Sequence, residues 1–100
     1  MSTQRSLEKL KAERVELLLH SLPGWGVDPE LKSLTLQVRF LSPRESLKFL
    51  RHVCQVATNR RHVPDVALAQ GAVTVKLGTP EVGGLSEEDF RFARQVTRRV

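Results

Sequence analysis

Residues 34–46, LTLQVRFLSPRES, change within one short stretch from the pattern of a β-strand to that of a helix start. Every second residue from Leu34 to Phe40 is apolar and the residues between them are polar, which is typical of a strand with one buried face. Ser42 can then cap a helix, and Pro43 suits the first helical position. The stretch therefore predicts a strand over 34–40 that is followed directly by a helix.

This central helix should run to about Asn59, and it carries more apolar surface than packing on one sheet face requires. Close to half of its circumference is apolar, through Leu47, Phe49, Leu50, Val53, Cys54, Val56 and Ala57. Either the helix also meets another subunit or it lies deep in a core. Cys54, the single cysteine, is expected to be a small buried apolar residue, and a chain with one cysteine can form no internal disulfide.

Elements of both kinds lie on either side of this stretch. Residues 6–20 have helical spacing of leucine and valine, and GWGVD at 24–28 is a short candidate strand. Residues 64–69 and 72–78 predict a hairpin, and Ser86 begins a last helix whose apolar face includes Val100. The order α-β-β-α-β-β-α predicts a single α+β domain over 1–100, with three helices and a four-stranded antiparallel sheet. Its two open sheet edges favour a homodimer.

Charge and composition narrow the classes of partner. The net charge of +5 favours acidic proteins, nucleic acid or phosphorylated ligands. Nucleic acid is disfavoured because the chain has no tyrosine and one tryptophan to stack on bases. The leucine run at 17–19 is far too short to cross a membrane, and no secretory signal is visible. We therefore expect a cytosolic protein without a membrane partner.

The familiar catalytic and metal-binding motifs do not occur in the sequence. His20 and His52 lie on predicted helices and are interpreted as surface residues, whereas His62 stands in a basic loop before a proline. We expect no metal and no cofactor.

The basic residues on the last helix form either a solvated face, in which Glu87 pairs with Arg91, or an interaction surface.

Three short strings carry a family resemblance. LPGW at 22–25, H-x-P-D at 62–65 and GGLSEED at 83–89 occur in the order and at about the separations found in pterin-4a-carbinolamine dehydratases. The sequence resembles that family from about Leu7 to Val100. The resemblance implies an α+β fold and a site in which histidines move protons as water leaves a 4a-hydroxytetrahydropterin.

Residue by residue, the resemblance implies a site that is only partly retained. His62 matches the first family histidine, but Val63 replaces the second and Pro80 the third. Thr58 stands where the family has an acid, and Gln70 where it has an aromatic residue. The retained positions are the catalytic candidates His62, Glu81 and Asp89 and the ligand-binding candidates Trp25, Pro64 and Asp65.

These losses favour a non-enzymatic interaction protein, since valine and proline cannot exchange a proton at any pH. The pattern resembles a divergent branch of the family, associated with bacterial α-carboxysomes, that assists Rubisco assembly. That resemblance implies the Rubisco large subunit as an acidic client and a location in the bacterial cytoplasm or at the carboxysome. The alternatives are a weakened dehydratase and a transcriptional coregulator. The candidate contact residues, expected to be exposed, are Arg60, Arg61, Arg91, Arg94 and Arg98.

Overall fold

The computed structural model describes residues 7–98. Its elements follow the predicted order. They are α1 (Ala12–Leu19), β1 (Trp25–Val27), β2 (Leu34–Arg39), α2 (Pro43–Arg60), β3 (Asp65–Ala69), β4 (Ala72–Leu77), a 3-10 turn (Pro80–Val82) and α3 (Glu87–Thr97). The predicted fold class, α+β with three helices and four antiparallel strands, is confirmed.

The sheet has the strand order β1-β2-β4-β3, and every neighbouring pair is antiparallel. In the register of the central pair, Leu36 lies opposite Val75. The β3–β4 hairpin turns at Gln70 and Gly71, whose φ angles of 51° and 80° are both positive. Two positive φ angles in a two-residue loop match the right-handed twist of the flanking strands, which explains the glycine.

The helices cover one face of the sheet. Side chains from all three helices join those of the two central strands in one buried cluster, which includes Val15, Phe49, Phe90, Leu36 and Val73. The other face of the sheet carries exposed polar side chains, among them Gln37, Arg39 and Lys76. The strand alternation in the sequence therefore indicated correctly which residues would face the core.

The first helix is shorter than predicted. It begins at Ala12 rather than at residue 6, which itself lies outside the described residues, as does Val100 at the other end. Residues 7–11 are not helical, and the backbone N–H of Leu10 donates to the oxygen of Leu85, 2.8 Å away. This contact with the loop before α3 satisfies an amide that a longer helix would use internally, so tertiary pairing overrides the helical spacing.

The apolar surface of α2 is only partly buried. Phe49, Val53 and Val56 recur at helical spacing and form the buried stripe. Cys54 is exposed, so the prediction that it is buried is wrong, and Leu47 is 54% exposed. Both residues fall outside the stripe that faces the sheet, because a single sheet face contacts only about a third of a helix.

His52 also differs from its interpretation as a surface residue. Its ring is half-buried where α2 meets α3, and its Nε2 donates to the backbone oxygen of Gln95 at 2.9 Å.

Within residues 7–98, no helix combines the length and the apolar character that a bilayer span requires.

Candidate active site

His62 is positioned by the way α2 ends. The helix stops at Arg60, and Arg61 adopts a left-handed conformation with a φ of 53°. The backbone N–H of His62 then bonds to the oxygen of Ala57 at 3.2 Å, which fixes the turn. As a result the imidazole lies against α3, 5.9 Å from the ring of Phe92 between centroids, and its side chain is only 11% exposed.

The partner of His62 is Asp89, a fully buried carboxylate in the first turn of α3. Its Oδ1 lies 2.7 Å from His62 Nε2. Its Oδ2 accepts from the Thr79 hydroxyl at 2.7 Å and from the backbone N–H of Ser86 at 2.9 Å. The Ser86 hydroxyl lies 2.8 Å from that of Thr79. One carboxylate therefore caps α3 and joins it to the segments on either side of the β3–β4 hairpin.

The two positions at which family histidines are lost lie together. Val63 and Pro80 line one surface cavity of about 450 Å³, together with Asp28, Glu30, Lys32, Ser33, Asp65, Lys76, Leu77 and Gly78. Val63 is 87% exposed there, whereas His62 is not among the residues that line the cavity. Val63, at the position of the second family histidine, thus faces solvent, while His62 faces the protein interior.

A loop carboxylate borders the same cavity. Asp28 Oδ1 accepts the backbone N–H groups of Lys32 at 2.6 Å and Ser33 at 2.8 Å. These hydrogen bonds, the one from Ser33 first, lower the pKa of Asp28 below its ordinary value. Asp28 therefore stays ionised near neutral pH and holds the loop between β1 and β2 in place.

The structure places the remaining site candidates in different surroundings. The indole of Trp25 is buried, and its Nε1 donates to the hydroxyl of Thr97 at 2.8 Å. Glu81 is exposed in the 3-10 turn, and Pro64 is half-buried. Asp65 is exposed at the start of β3, opposite Lys76 in register. Only Asp65 of these four lines the cavity with Val63 and Pro80.

Arg60 does not have the exposure expected of a contact residue. Its guanidinium forms a two-pronged ion pair with Glu88 through Nε and a second nitrogen, the latter 3.2 Å from Oε1. A third bond of 3.2 Å reaches the side-chain oxygen of Gln95. Glu88 is 3% exposed. The hydrogen bonding of Glu88 to the Arg60 guanidinium raises the pKa of Arg60 above its ordinary value. The pair ties the end of α2 to the start of α3.

The other charges of α3 also differ from the sequence interpretation. Glu87 pairs with Arg14 at 2.7 Å and not with Arg91, which instead lies 4.0 Å from Glu88. The bond to Glu87 raises the pKa of Arg14. Arg61, Arg91 and Arg98 are exposed as predicted, and Arg94 is half-buried.

The neighbours Arg60 and Arg61 form a matched pair for a stability test. Arg60→Ala should lower the free energy of unfolding by about 2–3 kcal/mol, because it removes the two hydrogen bonds that the guanidinium donates to the buried Glu88 carboxylate. Arg61→Ala removes an exposed charge and should change it by less than about 0.5 kcal/mol. Urea unfolding of both variants measures the difference. Equal, small losses would contradict a structural role for the Arg60–Glu88 pair.

Sequence reasoning missed the residues that hold this network together. Thr79 and Glu88 were not among the candidates, although both are buried and bonded. Ser86 and Asp89 have the spacing of a helix N-cap and the third residue of the helix. That spacing indicates the cap but not the contact of Asp89 with His62.

Among residues 7–98, no three His, Cys, Asp or Glu side chains lie close enough together to hold a metal ion.

Comparison with known proteins identifies the class first through the fold. A crystal structure from Brucella melitensis, described as a transcriptional coactivator/pterin dehydratase, matches with a TM-score of 0.85 over 91% of this chain and 97% of that one. Its sequence is 23% identical, so this likeness establishes the fold alone. The protein is thus an α+β protein of the pterin dehydratase fold.

Sequence comparison then establishes the family. The family model "Pterin 4 alpha carbinolamine dehydratase" matches residues 8–99. A Rubrobacter xylanophilus protein named "Putative pterin-4-alpha-carbinolamine dehydratase" is 38% identical over 89 residues, which are 89% of this chain and 82% of that protein. A protein of the same name from Halorhodospira halophila is 28% identical over 93% of this chain and 85% of its own length. The chain belongs to the pterin-4a-carbinolamine dehydratase family, as its motifs predicted.

Proposed function

We propose that this protein is a non-catalytic member of the family that acts by binding another protein. The observation that carries the proposal is the cavity lined by Val63 and Pro80. The resemblance places proton-carrying histidines at these two positions, and neither residue present here can donate or accept a proton. A general acid or base is worth about 10²–10⁴ in rate, so a site without two of them has lost most of its means of catalysis.

A structural role explains why His62 is retained in such a protein. Its ring bonds to Asp89, packs edge-on against Phe92 and is almost completely enclosed. Asp89 in turn caps α3 and bonds to Thr79. His62 therefore contributes to a network that joins the end of α2 to α3, which requires no substrate.

The client that we propose is Rubisco, in the cytoplasm or carboxysome of a bacterium. Two observations support it: the resemblance to the α-carboxysome-associated branch, and a net charge of +5 that favours acidic surfaces. Such attraction is screened by salt over a Debye length of about 8 Å at physiological ionic strength. The binding of a Rubisco subunit should therefore weaken as the salt concentration rises.

We also propose that the protein is a homodimer that pairs through an edge of its sheet. The outer strand β3, Asp65–Ala69, is longer than the opposite outer strand β1, Trp25–Val27. Four of the five residues of β3 are exposed. An open edge of this length presents unpaired backbone groups that a second copy can satisfy.

Coexpression tests the client. Production of this protein with the large and small Rubisco subunits should raise the yield of assembled holoenzyme above that of the subunits alone, as measured on native gels and by carboxylase activity. A Phe49→Asp variant, which places a charge in the buried core, is the matched control and should give no increase. An unchanged holoenzyme yield with abundant, folded wild-type protein would contradict Rubisco as the client.

The pair formed by His62 and Asp89 favours a weakened dehydratase as the second candidate. A carboxylate within 2.7 Å of an imidazole nitrogen is the arrangement that orients a catalytic histidine in many enzymes. Glu81 would supply the second titratable group, but it does not line the cavity, and Trp25 is buried against Thr97 rather than placed as a wall for the pterin. A transcriptional coregulator, the role suggested by the name of the Brucella melitensis structure, would bind a different partner protein.

A further inference from the structure

We propose that Arg39 of one copy pairs with Asp65 of the second copy when two copies join through β3, so that each subunit contributes a cation to the cavity of the other. The cavity is the one of about 450 Å³ that Val63 and Pro80 line. The proposal rests on the proposed homodimer, and it adds the register of the joined sheet and the side chain that crosses between the subunits.

Both charged residues lie on the open face of the sheet. Arg39 is opposite Ala72 in register, and Ala72 is opposite Ala69 at the end of β3. Asp65 begins β3, four residues before Ala69, and side chains alternate between the two faces along a strand. Asp65 and Ala69 therefore point to the face that carries Arg39. Within one copy the two charged residues lie about 13 Å apart along the strand direction.

The side chain of Arg39 extends from β2 across β4 to the outer edge of the sheet. Its Nη1 donates to the backbone oxygen of Gln70 at 3.5 Å, and Gln70 is the residue that follows β3. Arg39 is exposed, and no carboxylate among residues 7–98 lies within 4 Å of its guanidinium. A positive charge without an ionic partner in the described part of the chain thus lies at the edge that a second copy would join.

Asp65 provides the complementary charge. It is exposed, and no described cation lies within 4 Å of its carboxylate, although Lys76 is opposite it in register. The carboxylates that line the cavity are those of Asp28, Glu30 and Asp65, whereas the amino groups are those of Lys32 and Lys76. One more cation would therefore balance the charge of this site.

Two-fold pairing of β3 brings the two charges together. In an antiparallel pair of β3 strands centred on Ala67, Ala67 is opposite itself and Asp65 is opposite Ala69 of the second copy. This register pairs all five residues of the strand. Opposite Cα atoms lie about 5 Å apart, and Gln70 follows Ala69. Asp65 of the second copy therefore lies beside the Arg39 guanidinium, and symmetry repeats the contact.

The same register keeps like charges apart. The two Asp65 residues are separated by about 13 Å along the strands, whereas a slip of two residues that centred the pair on Val66 would bring them within about 7 Å and shorten the ladder. Charge complementarity therefore favours a second copy at this edge and one register for it. In that register Arg39 of the second copy lies next to Asp65 at the cavity, so a molecule bound there meets residues of both copies.

Cysteine crosslinking tests the register. Cys54→Ser removes the single cysteine and gives the background for two further variants. Ala67→Cys should form a covalent dimer on mild oxidation, because Cα atoms about 5 Å apart lie within disulfide range. Ala69→Cys is the matched control, since its two copies would lie about 13 Å apart and should not crosslink. Non-reducing gels measure both. Crosslinking of Ala69→Cys as efficient as that of Ala67→Cys would overturn the register.

Charge reversal tests the ion pair. Asp65→Arg and Arg39→Asp should each weaken self-association at least about tenfold, because each places like charges at both contacts. The two changes together should recover at least about threefold of that affinity. Arg98→Asp, on exposed α3 sequence, makes the same change in charge as Arg39→Asp and should stay within about twofold of the wild type. Sedimentation equilibrium measures the affinity, and thermal unfolding confirms that each variant is folded. A double variant as weak as the single ones would overturn the pair.

Thiol reactivity tests whether Arg39 acts on the cavity of the second copy. Val63→Cys in the Cys54→Ser background places a thiol at a position where the side chain is 87% exposed. Its rate with an anionic disulfide reagent, relative to a neutral one, should fall at least about twofold when these copies exchange into dimers with an excess of Arg39→Gln, Cys54→Ser protein. The Arg39 of its own copy lies beyond a Debye length of about 8 Å. An unchanged ratio after verified exchange would refute the contribution between subunits.

The mass of the wild type separates this proposal from the homodimer on which it rests. A protein that is monomeric at micromolar concentration would overturn both. A self-associating protein in which Ala67→Cys does not crosslink would refute the pair of Arg39 and Asp65, while the homodimer stands with another interface. Coexpression with Rubisco subunits tests the client independently of either result.

Discussion

Purified protein should dehydrate a 4a-hydroxytetrahydropterin about 10²–10⁴ times more slowly than a family member with histidines at the positions of Val63 and Pro80. The reason is chemical rather than steric, because the cavity that these two residues line is still present at about 450 Å³. The cavity opens to solvent at Val63, which is 87% exposed, but neither Val63 nor Pro80 can move a proton. Absorbance during the dehydration of freshly formed carbinolamine measures the rate.

A His62→Ala variant is the decisive control for this activity. If His62 serves the fold, its replacement should leave the remaining slow rate unchanged while it lowers stability, because Asp89 loses one of its three partners. A wild-type rate close to that of an intact family member, abolished by His62→Ala, would contradict the non-catalytic assignment and support the weakened dehydratase. The variant Val63→His, Pro80→His should recover only part of the rate, since Thr58 and Gln70 also depart from the family pattern.

Replacement of Asp89 by alanine should lower the free energy of unfolding by about 3 kcal/mol. The change removes a helix cap, worth about 1 kcal/mol, and leaves the buried Thr79 hydroxyl and the Ser86 N–H without their acceptor. Loss of the bond to His62 adds to the effect. Urea unfolding at neutral pH, with the slope compared between variants, measures it.

Glu81→Ala is the matched control because it removes an exposed carboxylate from the same segment of chain. Its effect on the free energy of unfolding should be within about 0.5 kcal/mol. If Asp89→Ala and Glu81→Ala change the free energy of unfolding equally little, the network around Asp89 does not stabilise the fold. The presence of Asp89 would then favour a catalytic role for its pair with His62.

Much of the fold could be predicted from local sequence pattern. Alternation from Leu34 to Phe40 indicated the strand and its buried face, and Ser42 marked the start of α2 correctly. The hairpin at Gln70 and Gly71 followed from a glycine between two extended runs. These features depend on residues a few positions apart, whose preferred backbone angles and spacing are set by short-range sterics and hydrogen bonding.

Where the local sequence pattern gave a wrong prediction, tertiary contacts had determined the structure. The spacing of leucines predicted α1 from residue 6, but the bond between Leu10 and Leu85 takes the amide that would have extended the helix. On α2, apolar type alone could not distinguish Val53, which is completely buried, from Cys54, which is exposed. The sheet covers only one stripe of that helix, and its position is a property of the assembled fold.

For the site, the sequence by itself determined the chemistry that is missing, because valine and proline at positions 63 and 80 carry no titratable group whatever surrounds them. It did not determine what the retained residues do. His62 meets Asp89 across 27 positions of chain, and Arg60 meets Glu88 across 28. Contacts between residues so far apart exist only once the sheet and helices have packed. The tertiary structure alone therefore decided that His62 and Arg60 bind partners within the protein, and that Val63 and Pro80 share one cavity.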